Sequence, residues 1–146
     1  MAEDLAAANV NRSYSLSATS VAIFTFTMFF LYPRFVSGEV NALLFQATLT
    51  VMGVVTFSFV FASFYYYCAS AGRQLEGAER AVYSRRGDRF WLLGYTLLFL
   101  APSLVLVAIG LWVVAAAWFA LWLVYLLFVI RYFPRVQAGA TELPSR

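Results

Sequence analysis

The chain has no histidine and no lysine, a single cysteine, and charge on only 12% of its 146 residues. Each shortage excludes something. Without histidine there is no imidazole to ligate a metal or haem, and no side chain whose ordinary pKa lies near neutrality. One cysteine, Cys68, excludes an internal disulfide and any Cys-x-x-Cys redox pair. It reads as a small apolar residue near a helix end rather than as a palmitoylation site. All ten positive charges are arginine, a usage that fits a GC-rich bacterial genome. Neither a cofactor nor a metal is expected from this inventory.

What remains is apolar. Hydrophobic residues make up 63% of the chain, against about 45–50% in a soluble domain. A chain this short has too much surface for its volume to bury that much of itself, so lipid must cover the excess. The expected class is an all-α integral membrane protein.

A helix needs about 20 predominantly apolar residues to cross a bilayer. Residues 13–32 and 41–68 each qualify. The block 90–133, whose one charge is Arg131, is about twice the length of one span and should fold back near 110–115. That yields spans over 90–110 and 114–133, short tails over 1–12 and 134–146, and a basic loop over 69–89. The expectation is one domain, a four-transmembrane-helix up-down-up-down bundle. The first span follows Arg12 as a secretory signal would. It runs into Phe29-Phe30-Leu31-Tyr32-Pro33-Arg34 with no small-x-small cleavage site, so it is expected to stay as an anchor.

Arginine sets the orientation. Arg12, the group Arg73, Arg80, Arg85, Arg86 and Arg89, and the group Arg131, Arg135 and Arg146 fall on one side; Arg34 alone falls on the other. The positive-inside rule then puts both termini and the middle segment in the cytoplasm of a multi-pass cell-membrane protein. In the segment SRRGDRFW, Asp88 follows Gly87 and is expected to cap the third span. Its Arg-Gly-Asp tripeptide carries no adhesion meaning on a cytoplasmic face. Tyr65-Tyr66-Tyr67, Trp112 and Tyr132-Phe133 read as interfacial anchors.

Hydroxyl groups concentrate in the first two spans. Ser13, Ser17, Ser20 and Thr27 share one helical face, with Phe24 completing the row. Gln46, Thr50 and Gly53 form a second stripe, and Thr56 and Ser63, a heptad apart, a third. Two readings stand: close helix packing, or a polar path lined by these hydroxyls and a buried Gln46 amide. In the basic segment, Arg80, Arg85, Arg86 and Arg89 are candidates for contact with anionic lipid or a phosphate. No nucleic-acid partner is expected, because net charge is only +3 and no stacking aromatics alternate with the arginines.

No acidic residue falls mid-span, which argues against a proton-driven exporter. No span carries regularly spaced arginine, which argues against a voltage sensor. The leading functional expectation is a non-catalytic assembly or accessory subunit, partnered by lipid and by itself or another membrane protein. The alternative is a homo-oligomeric channel or facilitator lined by the first two helices. A third reading, an interfacial lipid-modifying enzyme, would draw on Glu39, Glu76, Glu79 or Asp88.

Overall fold

The computed structural model describes residues 2–71 and 77–141, with side chains described for 7–71 and 77–131. It contains four α-helices: α1 (Ala2–Val36), α2 (Ala42–Ala71), α3 (Gly77–Ala108) and α4 (Trp112–Thr141). Each contains a segment long and apolar enough to cross a membrane.

Two glycines make the tight reversals. Gly38 (φ 79°) ends α1 and Gly110 (φ 82°) ends α3, both in the left-handed region that side chains disfavour. At the first, Glu39 N–H donates to the Arg34 carbonyl (2.9 Å) and Gly38 N–H to Phe35 (3.1 Å). At the second, Leu111 N–H donates to Leu106 (2.9 Å) and Gly110 N–H to Val107 (3.0 Å). Both are Schellman caps, which satisfy carbonyls the helix would otherwise leave unpaired. Asn41 then caps α2, its Oδ1 accepting from Leu43 N–H at 2.9 Å.

Helix boundaries differ from expectation in one place that matters. Of the stretch 69–89, residues 69–71 finish α2, and from Gly77 onward the chain is helical: α3 runs through Gly87 and Asp88 without a break. Asp88 is therefore an interior helical residue and not a cap. The reason is packing. Gly87 is buried against α2, and a Cβ there would come within 2.9 Å of the Tyr66 ring. Its smallness serves contact, not chain breaking. Arg73 and Glu76 lie outside the described residues.

The α2–α3 contact organises the fold. Phe45, Thr48, Met52, Val55, Phe59, Ala62, Tyr66 and Ala69 are the buried 3–4 stripe of α2, a heptad pattern that suits shallow crossing angles. Opposite it, Gly87, Gly94, Ala101 and Ala108 are buried at strict seven-residue intervals along α3. Large meets small: Tyr66 lies on Gly87, and Phe59 lies on Gly94, where a Cβ would stand 3.1 Å from the ring. Phe45 and Ala108 share a cluster with Leu31 and Val40 at the far end.

Helix α1 packs on the neighbouring side of α2, while α4 touches only α3 among the described residues. Helix α1 also meets α3, as where Arg12 lies over Trp91, so the four-helix bundle is open only on the side where α4 meets neither α1 nor α2. Trp118 and Trp122 of α4 reach across to α3, where their Nε1–H groups donate to the carbonyls of Phe99 and Thr96, both at 2.9 Å. Ala115 is the buried hydrophobic residue of α4. A groove of about 460 Å³ separates α4 from α1, lined on its two rims by Trp118 and Ile23 and floored by α3.

Gly94→Leu should force α2 and α3 apart and destabilise the protein by about 1–3 kcal/mol. Gly53→Ala, where a Cβ meets nothing within 4 Å, should cause no loss. Reversible unfolding in mixed detergent micelles measures both.

Candidate functional site

The hydroxyl groups do not converge on one cavity. Ser13, Ser17, Ser20 and Thr27 are buried along α1. Several hydroxyls bond the helix backbone instead of a neighbour: Ser20 donates to the Leu16 carbonyl at 2.7 Å, Thr48 to Leu44 at 2.8 Å, Thr56 to Met52 at 3.0 Å and Ser58 to Val54 at 2.7 Å. Back-bonding of this kind satisfies a hydroxyl in an apolar setting without a partner helix. Ser63 is buried and reaches the Val10 carbonyl on α1 at 3.5 Å, long for a hydrogen bond. Ser13 Oγ is buried with no hydrogen-bond partner among the described residues.

Gln46 and Thr50 lie elsewhere. Both are exposed on the outer side of α2, on a stripe that continues through Phe57, Phe61 and Phe64. The expectation of a buried Gln46 amide does not hold within one chain. The inward side of α2 is the heptad stripe that meets α3, and residue 46 falls one position off it.

The side chains that do come together sit at the end of the row where α1 starts, α2 finishes and the apolar part of α3 begins. Tyr66 Oη donates to Asp88 Oδ1 at 2.6 Å. The Arg12 guanidinium lies over the Trp91 ring, 5.1 Å from its centroid, a favourable cation–π geometry. Asn9, Arg12, Tyr66, Asp88 and Trp91 line a pocket of about 180 Å³. Three helices contribute to it. Among the described residues the Arg12 N–H groups meet no hydrogen-bond acceptor, and the second Asp88 oxygen accepts no bond.

A second pocket, about 360 Å³, is lined by Tyr65, Arg86, Arg89, Phe90 and Leu93. Here Tyr65 stacks on Phe90 at 5.5 Å, making an aromatic wall beside two guanidinium groups. Of the four arginines singled out from sequence, Arg86 and Arg89 therefore share a pocket. Arg85 is exposed and Arg80 half-buried, and neither lines it. Glu39 and Asp88, two of the acids considered for catalysis, are at opposite ends of α2. Among the described residues no three His, Cys, Asp or Glu side chains could hold a metal ion.

No family model matches the chain, and neither a characterised protein nor a solved structure matches it.

The Arg12–Tyr66–Asp88 junction escaped sequence reasoning because its members are 54 and 22 residues apart. One signal was available. The seven-residue recurrence of Gly87, Gly94, Ala101 and Ala108 aligns with the aromatics of α2 and brings Tyr66 next to Gly87, hence to Asp88. A double-mutant cycle on Tyr66→Phe and Asp88→Ala, which removes donor and acceptor in turn, should give a coupling of about 1.5–3 kcal/mol, the range for hydrogen bonds to charged groups. Unfolding of the single and double variants in detergent measures it.

Proposed function

We propose that this is a multi-pass membrane protein acting as a non-catalytic assembly subunit, with a second copy of itself as the first partner. The observation that carries the reading is the open edge of the row. Helix α4 is the most apolar candidate span and the least covered, with its contacts confined to α3. An apolar groove lies beside it, between α4 and α1. Membrane helices associate by close van der Waals packing, and such a groove can take one helix of a second copy. In this reading the chain threads up-down-up-down. Consecutive helices meeting with rising numbers on one against falling numbers on the next support that threading, as do the two glycine turns.

The orientation proposed is both termini and the α2–α3 connection in the cytoplasm. It rests on the arginine asymmetry: Arg34 alone stands at the opposite end. With Cys68 replaced by alanine, a cysteine at Ala81 should be shielded from a membrane-impermeant maleimide added outside intact cells. Labelling from outside would overturn the threading.

Self-assembly is tested in lipid nanodiscs and by single-molecule photobleaching in liposomes. More than one copy per particle is expected. Val114→Trp, which fills the groove from the α4 side, should weaken association about tenfold, a change of roughly 1.4 kcal/mol. A chain that stays single at every density would sink the proposal.

A specific observation favours one second reading, a homo-oligomeric channel or facilitator. Gln46 and Thr50 share the exposed stripe of α2, so a polar path would form only where α2 helices from several copies meet. In proteoliposomes Gln46→Leu would then change solute flux and leave assembly intact. Under the assembly reading no flux is present to change.

A further inference from the structure

The two pockets at the arginine-bearing end of the row differ in charge. That of Tyr65, Arg86, Arg89, Phe90 and Leu93 presents two cations and no carboxylate. That of Asn9, Arg12, Tyr66, Asp88 and Trp91 presents one cation and one carboxylate. The second is built from three helices and, among the described residues, leaves hydrogen-bonding capacity of both signs unused: the Arg12 donors and one Asp88 oxygen.

We propose that the Arg12–Asp88 pocket binds the headgroup of a phosphoethanolamine-bearing phospholipid, with phosphate on Arg12 and ammonium on the free Asp88 oxygen. This rests on the membrane reading above. Three features select the ligand class. A pocket of about 180 Å³ is smaller than the about 300–1,000 Å³ of ordinary small-molecule sites, so it takes a headgroup and leaves the acyl chains outside. A purely anionic headgroup would meet repulsion from Asp88. A choline headgroup carries no N–H to donate to a carboxylate, and the Trp91 face that could hold a quaternary ammonium is already covered by Arg12.

Position agrees with chemistry. Arg12 is the last charge before an uncharged run that ends at Arg34, and Asp88-Arg89 the last before one that ends at Arg131. Both runs start at the level of this pocket, where lipid phosphate would lie if they span the bilayer. Tyr66 has two roles there. Its ring fills the space over Gly87, and its hydroxyl holds one Asp88 oxygen so that the other is aimed at the ligand. Charge-assisted hydrogen bonds of this kind are the strong ones.

Native mass spectrometry of the protein released from nanodiscs of equal ethanolamine, choline and glycerol phospholipids, matched in acyl chain, tests the inference. The wild type should retain ethanolamine lipid over choline lipid by about tenfold, the scale of one charge-assisted hydrogen bond. Asp88→Asn keeps an acceptor for Tyr66 and should abolish that preference while phospholipid is still retained through Arg12. Arg12→Gln should lose both lipids. Arg86→Gln with Arg89→Gln should lower glycerol-lipid retention and leave the ethanolamine preference in place. A preference unchanged in Asp88→Asn, or none in the wild type, overturns the inference while membrane insertion stands. Displacement by soluble phosphoethanolamine at concentrations similar to the lipid overturns the lipid as the source. Failure of the protein to float with liposomes overturns the membrane reading and this inference together.

Discussion

Everything in this fold hangs on one steric match, the fit of the α2 aromatics into the glycine and alanine heptad of α3. Membrane helices gain little from excluding water against one another, because lipid chains are as apolar as leucine, so close approach must supply the attraction. Gly87 and Gly94 allow the Tyr66 and Phe59 rings to lie almost on the α3 backbone. Dispersion contacts of that density are individually small and add up along the seam. With α2 and α3 held so, α1 finds its place on the remaining side of α2, and α4 is left with α3 alone.

The same seam decides where polarity goes. Because the inward side of α2 is taken largely by apolar side chains, Thr48, Thr56 and Ser58 turn to carbonyls of their own helix, and the one amide is left on the outside. Charged and polar side chains from three helices meet where the seam reaches its arginine-bearing end. There Tyr66, the last aromatic of the zipper to face a glycine, carries a hydroxyl and finds Asp88 one residue beyond. Structure and chemistry share that residue.

At that end the arginines divide by neighbourhood. Arg86 and Arg89 stand beside an aromatic wall with no acid in their pocket, whereas Arg12 lies on Trp91 in a pocket that also contains Asp88. On the headgroup reading proposed above, these two guanidinium environments would differ in what can accompany a phosphate. Total arginine count says nothing of this. What matters is which carboxylate the packing brings alongside.

Much was legible without coordinates. Four long apolar stretches, the fold-back near Gly110 and the buried face Ser13–Ser17–Ser20–Thr27 follow from hydropathy and helical period, which act along the chain and need no neighbour. Three things did not follow. The unbroken passage of α3 through Gly87 and Asp88 was obscured because Gly87 reads locally as a breaker, and only contact with Tyr66 shows why it is glycine. The outward Gln46 and the open edge at α4 depend on which face of each helix wins a partner, a competition between surfaces that periodicity cannot rank. The meeting of Arg12, Tyr66 and Asp88 depends on the register of three helices. Register is set by the sizes of side chains facing one another across a seam, and so it belongs to the tertiary structure alone.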